Sequence, residues 1–176
     1  GSYLMREFAR NVNKLTAQDD NGRIALEQTN RNQWLAKGVQ GKLVLDYEVY
    51  AWDLSVRTSH LDQTHGYFNG TALFLMAKGL HEQPHAVDLK PPSDPFCKNW
   101  RVATTLPRTS GEKWAFGEFE AEDYDELIDH PVEMGEFDNF EFEANGIPHD
   151  VVLTGRHDTD IQKLKEDLTH ICEAEL

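Results

Sequence analysis

The segment His81-Glu82-Gln83-Pro84-His85 matches the H-E-x-x-H pattern of zinc hydrolases letter for letter. In that pattern two histidines bind zinc and the glutamate acts as general base, which requires a helix to place residues i and i+4 on one face. Pro84 lies inside the would-be turn, where it removes a backbone donor and clashes with the preceding turn, at a cost of about 3 kcal/mol or more. We therefore reject His81, Glu82 and His85 as metal ligands and expect a polar loop between two strands.

Other patterns that would support catalysis are missing from the sequence. His60 and His65 precede Gly66, His130 precedes Pro131, and no three histidines show the local spacing of a zinc site. The chain has no nucleophile elbow, no phosphate-binding loop and no dinucleotide fingerprint. Carboxylates are abundant, but without a fixed geometry they cannot be assigned acid and base roles. The motifs alone predict no catalytic residue and no cofactor.

The composition excludes several classes of partner. The 176 residues include 31 acidic and 17 basic side chains, so the formal net charge is −14. A field of this sign repels nucleic acid and anionic membrane. No apolar run approaches the roughly 20 residues of a membrane span. The two cysteines, Cys97 and Cys172, form no CxxC pair, and free thiols favour a cytoplasmic location over a periplasmic one.

Most of the negative charge lies in residues 112–143, which contain 13 acidic groups and one basic group, Lys113. Seven aromatic residues are interspersed with these acids, so the block should fold with its aromatic side chains inward. Its acidic side chains are either a solvated face or a negative wall that attracts a cation such as the free amine of a peptide.

The hydrophobic pattern predicts a mainly β chain. Leu4, Phe8 and Val12 suggest a short helix, and Asn21-Gly22 and Asn145-Gly146 indicate hairpin turns. Period-two alternation or short apolar runs indicate strands at 43–49, 72–77, 86–90, 100–106, 114–121, 136–144 and 149–155.

Two helices have recognisable N-caps. Asp123 with Glu126 suggests a capping box for a helix over 121–128, and Asp160 can cap an amphipathic helix from 161 to the end of the chain. We expect an α+β fold, namely an antiparallel β-sandwich or saddle with short helices and a C-terminal amphipathic helix.

Several segments together resemble the glycyl aminopeptidase family of zinc metallopeptidases, many of which carry a PDZ domain. DYDELIDHPVE is the most specific, and the segments around Arg57 and Asn69-Gly70 support it. The similarity runs in order along the chain through residues 1–12, 49–62, 66–75, 100–106, 119–137 and 146–155.

The resemblance implies a division at residue 146. Residues 1–146 would form the β-rich N-terminal domain, and residues 147–176 would supply the first strand and helix of a truncated thermolysin-like catalytic domain. The true zinc ligands, the general-base glutamate and the PDZ domain would lie beyond Leu176, so no catalytic residue is carried over. In the parent enzyme a zinc-bound water would attack an N-terminal peptide bond, with a preference for small residues such as glycine.

The same resemblance suggests how this chain contributes to activity. It would wall one side of the cleft against the catalytic and PDZ domains, so that only the N-terminus of a peptide substrate enters. Asp129 and Glu133, after the helix at 121–128, are our candidates for attracting the substrate's α-ammonium. Each could instead have a structural role, Asp129 as a turn cap and Glu133 as a solvent-facing residue. Arg57 is interpreted as a structural partner of a carboxylate.

Two other functions stay open at this point. The chain could be a stand-alone β-sandwich module that binds protein or carbohydrate through aromatic residues such as Trp52 or Trp114. It could also be a small zinc hydrolase built on residues 81–85. A half-exposed apolar stripe on the last helix would favour the aminopeptidase domain.

Overall fold

The computed structural model describes residues 7–175 and confirms a mainly antiparallel β fold with short helices and one long C-terminal helix. Thirteen strands occur among the described residues. They are β1 Val12–Asp19, β2 Gly22–Ile24, β3 Leu26–Asn30, β4 Gln33–Ala36, β5 Val44–Val49, β6 Ser59–Leu61, β7 His65–Phe68, β8 His85–Leu89, β9 Arg101–Thr104, β10 Gly117–Ala121, β11 Val132–Gly135, β12 Phe137–Ala144 and β13 Ile147–Thr154.

The strands form five small antiparallel sheets rather than one large one. A three-stranded sheet has the order β2-β1-β5, and a four-stranded sheet has the order β6-β7-β11-β9. Three two-stranded units, β3-β4, β8-β10 and β12-β13, complete the set. The four-stranded sheet is the one that positions the candidate sites described below.

One face of the four-stranded sheet is buried in the core. Phe68, Val102 and Val132 project from this face, and they pack with Phe119 and Ala121 of β10. Alternation along a strand sends the neighbouring residues to the opposite face, where polar side chains collect. The core therefore anchors a rigid sheet whose outer face is free to carry polar groups.

The predicted strand over 72–77 is wrong. Residues Gly70–Leu73 form a short helix, α1, and the chain then continues without regular structure. Asn69 caps this helix, because its side chain accepts a hydrogen bond from the backbone N–H of Thr71 at 3.1 Å. Tyr47 Oη and Tyr124 Oη then donate to the carbonyls of residues 73 and 74, at 3.0 and 2.9 Å. Side chains thus satisfy carbonyl groups that a strand would have paired in a sheet.

The two helices predicted from N-caps are confirmed. Helix α2, Tyr124–Asp129, begins after Asp123, whose Oδ1 accepts from the N–H of Glu126 at 2.8 Å. The carboxylate of Glu126 accepts from the N–H of Glu122, one residue before the N-cap, so the cap is present but the reciprocal bond of a capping box to Asp123 is not. Helix α3, Ile161–Glu175, begins after Asp160, whose Oδ1 accepts from the N–H of Lys163 at 3.0 Å.

The predicted helix at the start of the chain is not formed where it can be checked. Leu4 lies outside the described residues. Phe8–Asn11 form a single 3₁₀ turn, and Val12 already belongs to β1. An i, i+4, i+8 pattern with only three members is compatible with a turn followed by a strand, and pairing of β1 with β5 stabilises the strand.

The two predicted hairpin turns are confirmed. Gly22, the first residue of β2 and opposite Asp19 of β1, has φ +116°, and Asn145 and Gly146 have φ +50° and +80° between β12 and β13. Two positive φ angles in succession are those of a type I′ turn. Strands β12 and β13 pair along their whole length, from Phe137 opposite Thr154 to Ala144 opposite Ile147. The pairing therefore runs across residue 146, the predicted domain boundary, which stays a prediction.

Within residues 7–175, no helix combines the length and the apolar character that crossing a bilayer would require.

Candidate functional site

A groove beside helices α1 and α2 is the first candidate site. Asp129, the last residue of α2, lies in its wall, and so do the N-cap residues of both helices, Asn69 and Asp123. The remaining lining residues are Phe8, Arg57, Thr71, Asp125, Glu126 and Ile128. The N-terminal ends of α1 and α2 and the C-terminal end of α2 thus all line the same groove.

Close packing of the two helices brings these residues together. A Cβ atom placed on Gly70 would lie 2.7 Å from Cα of Ile128 and 3.1 Å from the carbonyl oxygen of Leu127. Only glycine allows α1 to approach the backbone of α2 this closely. The Asn69-Gly70 pair of the sequence therefore has two local functions, a helix cap followed by a contact point.

The groove has an acidic wall. Four carboxylates line it, against the single guanidinium of Arg57. Asp123 and Glu126 are engaged in the cap of α2. Asp125 and Asp129 are exposed, and within the described part of the chain no basic side chain lies within 4.0 Å of either. These two carboxylates are the ones available to attract a cationic group.

The two predicted cleft residues occupy different environments. Asp129 lines the groove, whereas Glu133 belongs to β11 and is not among the lining residues. Glu133 lies on the outer face of the four-stranded sheet, directly opposite Tyr67 of β7. Burial raises the pKa of Glu133 to about 7, although the nearby His60 acts in the opposite direction. Burial, with the charge of Glu133, also raises the pKa of Tyr67.

Residues 81–85 do not fit the helical zinc-binding motif. His81 and Glu82 lie in a turn, and His85 is the first residue of β8. The backbone of His81 accepts a hydrogen bond from the N–H of Tyr124 at 2.8 Å, and the ring of His85 packs edge-on against the Tyr124 ring at 5.9 Å. This segment thus supports the start of α2, and a turn followed by a strand does not align residues i and i+4.

A group that the sequence reasoning missed lies at the β6–β7 hairpin. His60, Asp62 and His65 each present one potential ligand atom, and these atoms lie within 4.8 Å of one another. Hydrogen bonds from the hydroxyl and N–H of Thr64, and then from His60 and the N–H of His65, hold the pKa of Asp62 well below its usual range. The signal in the sequence is the spacing His-x-Asp-x-x-His around a turn, which brings residues together across a hairpin rather than along a helix.

Comparison with known proteins gives one family and several similar solved structures. The model of the peptidase M61 N-terminal domain matches residues 1–136. Among solved structures, the crystal structure of an aminopeptidase N family protein from Idiomarina loihiensis is 40% identical to this chain, with a TM-score of 0.95. None of the curated proteins compared matches the chain.

The structural similarity covers different shares of the two chains. It covers 99% of this chain but 30% of the Idiomarina loihiensis chain. The present chain thus spans less than a third of the relative's length.

Proposed function

This chain belongs to the peptidase M61 family, whose N-terminal domain it carries, and we propose that it forms one wall of the substrate cleft in a larger zinc-dependent aminopeptidase. The observation that carries the proposal is the acidic groove beside α1 and α2. An aminopeptidase must recognise a free α-ammonium group, and exposed carboxylates at the groove supply a field of the required sign.

Within the proposed enzyme this chain binds and orients the substrate and performs no hydrolytic step. Residues 81–85 do not fit the family's zinc motif, so we assign the zinc ligands and the general base to a catalytic domain outside this chain. Asp129 attracts the α-ammonium, and Asp125 on the same helix adds to the negative potential. Glu133 is outside the groove lining, and we propose that it acts there only indirectly, through the sheet.

The C-terminal helix supports an intramolecular partner. Its apolar residues Ile161, Leu164 and Leu168 are only partly buried, and Ile171 is 59% exposed. An apolar stripe that stays half-exposed is typical of a surface that another domain covers. We propose the catalytic domain as that partner. We also propose that the complete protein carries a PDZ domain and prefers substrates with a small N-terminal residue such as glycine. The two cysteines are free, which supports a cytoplasmic location.

Steady-state kinetics of the complete enzyme test the role of the groove. Asp129→Asn should raise KM for free-amine peptides and leave kcat nearly unchanged, because the lost attraction acts on binding rather than on bond cleavage. Glu143→Gln, an exposed change on β12 outside the groove, is the matched control. An unchanged KM in Asp129→Asn would refute the cleft role.

A second measurement tests the non-catalytic assignment. The 176-residue chain alone, supplied with zinc, should hydrolyse no aminoacyl or peptide substrate. Turnover that disappears in His81→Gln would instead support the alternative of a small zinc hydrolase.

A further inference from the structure

The β6–β7 hairpin holds two imidazoles against one carboxylate. Nε2 of His60 lies 3.2 Å from Oδ2 of Asp62, and Nδ1 of His65 lies 3.8 Å from Oδ1 of the same carboxylate. The two imidazole rings stack, with centroids 5.0 Å apart and planes 27° apart. His60 is only 9% exposed, and Trp52 packs against its ring at 5.0 Å.

The carboxylate of Asp62 is fixed before any ligand binds. Its Oδ1 accepts hydrogen bonds from the N–H and the hydroxyl of Thr64, each at 2.7 Å, and from the N–H of His65 at 3.1 Å. Its Oδ2 contacts only the imidazole of His60. One oxygen therefore locks the side chain in the turn, and the other is directed at the ring of His60.

The single hydroxyl proton of Thr64 also determines how His65 can be used. This hydroxyl donates to Asp62 at 2.7 Å, so it has no second proton to donate to Nδ1 of His65, which lies 3.2 Å from it. At this contact Oγ1 can only accept, from a protonated Nδ1, and a metal ion bound at Nδ1 would replace that proton.

The surroundings of this cluster lack a permanent cation. Across residues 7–175, no lysine or arginine nitrogen lies within 4.0 Å of the carboxylate of Asp62 or of Glu133. Glu133 belongs to the same outer sheet face, and its Oε1 is buried without a hydrogen-bond partner. Nδ1 of His60 also has none, so the only polar contact of that buried ring is with Asp62. A cation beside Asp62 would compensate a partly buried carboxylate charge that no lysine or arginine of the described residues neutralises.

We propose that His60, Asp62 and His65 bind a divalent transition-metal ion of the Zn²⁺ class, through Nε2, Oδ2 and Nδ1 respectively. Imidazole nitrogen with one carboxylate oxygen suits zinc and its neighbours, whereas calcium and magnesium prefer all-oxygen sites. Three protein ligands leave one position open for water or another donor.

The observed distances are close to what such an ion needs. Ligand atoms at about 2.0–2.1 Å from a tetrahedral zinc ion lie about 3.3 Å from one another. The His60–Asp62 separation of 3.2 Å already has about this value. The three ligand atoms lie within 4.8 Å of one another, so His65 must approach by at most about 1.5 Å. The bound ion would crosslink β6 to β7 and to the turn between them. The inference concerns this chain's own residues, so it does not depend on the proposed peptidase function.

Titration of the 176-residue chain with Zn²⁺ and with Co²⁺ at neutral pH tests the site. We expect one equivalent of Zn²⁺ to bind, a Co²⁺ absorption spectrum with nitrogen ligands, and a rise in Tm on adding Zn²⁺. Asp62→Asn keeps the acceptor that holds the turn but removes the charge, and His65→Gln removes a ligand whose side chain is 22% exposed. Each should weaken Zn²⁺ binding at least about tenfold.

His81→Gln is the matched control, because His81 is exposed and belongs to the H-E-x-x-H segment. It should leave Zn²⁺ affinity unchanged. Circular dichroism shows which variants fold. If His65→Gln does not fold, Asp62→Asn, which keeps the turn geometry, still tests the site. Absence of a stoichiometric site, equal affinity in Asp62→Asn, or loss of binding in His81→Gln would each overturn the proposal.

Discussion

His60 and Glu133 lie on the same face of the four-stranded sheet, each directly opposite Tyr67 of the strand between them. The three side chains form a row across β6, β7 and β11, and the two outer members each keep a buried polar atom without a hydrogen-bond partner. The phenol in the middle is engaged elsewhere, since its hydroxyl donates to the carbonyl of Val56 at 2.9 Å. Tyr67 therefore donates no hydrogen bond to Glu133, and burial, which disfavours the charged carboxylate, raises the pKa of Glu133.

Glu133→Gln should change how stability depends on pH. The ordinary pKa of the carboxyl is 4.5, and burial raises it to about 7 in the folded chain. Between these values the folded chain holds a proton that the unfolded chain has lost, so the unfolding free energy of the wild type falls as pH rises. Below the lower value both states are protonated and this contribution is constant. The variant has no such group, so its stability relative to the wild type should increase with pH.

Urea denaturation across that pH range, with a chelator present, measures this difference. Glu143→Gln, at an exposed position, should give a curve parallel to the wild type. If the difference in unfolding free energy between the wild type and Glu133→Gln is the same at every pH, the raised pKa of Glu133 is wrong.

Gly70→Ala should destabilise the chain by about 1–3 kcal/mol, the usual cost of overpacking. The new Cβ would lie 2.7 Å from Cα of Ile128, so a backbone rather than a flexible side chain must move. Thermal or urea unfolding measures the loss. Thr71→Ser, at the exposed neighbouring position, keeps the hydroxyl that donates to Asn69 and should stay within about 0.5 kcal/mol of the wild type. Equal stability of the two variants would contradict the close contact of α1 with α2.

Asp123→Ala should cost about 1 kcal/mol, since it removes the N-cap of α2. Asp123→Asn keeps an acceptor in the same place and should recover most of that loss. The comparison separates capping from charge in denaturation curves measured at one pH. A loss in Asp123→Asn as large as in Asp123→Ala would show that the charge, not the hydrogen bond, stabilises the helix.

Arg108→Lys should also destabilise the chain, by about 1 kcal/mol or more, although it keeps the charge. The guanidinium donates to the carbonyls of Ser110 and Ala115, at 3.2 and 2.7 Å, and lies 4.4 Å from the centre of the Phe119 ring. An ammonium group cannot make both hydrogen bonds and the stacking contact together. Arg156→Lys, at an exposed arginine, serves as control and should have no effect on the denaturation midpoint.

Local sequence signals predicted those elements whose determinants are themselves local. The Asn145-Gly146 hairpin and the Asp123 cap each depend on a few adjacent residues, and both occur where expected. The apolar run at 72–77 was misassigned because hydrophobicity alone does not distinguish a strand from a short helix. Its conformation depends on Tyr47 and Tyr124, which are distant in sequence.

The candidate sites were predictable to different degrees. The family resemblance suggested Asp129 and Glu133 as cleft residues, and of the two only Asp129 lines the groove. The grouping of His60, Asp62 and His65 was not predicted, because histidine spacing alone does not indicate a site whose third member is a carboxylate. A hairpin instead pairs residues across a turn, and recognising this would have required the register of β6 and β7 in advance.

The two phenols that hold the segment after α1 have a mechanical consequence for the groove. A stretch with no regular structure is anchored at adjacent carbonyls by β5 on one side and by α2 on the other. The two hydrogen bonds hold this segment between β5 and α2. The groove residues Asn69 and Thr71 lie just before it, at the start of α1. Replacing both tyrosines by phenylalanine would remove both hydrogen bonds and leave the charge of the groove unchanged. The backbone amides of the segment after α1 should then exchange their hydrogens faster.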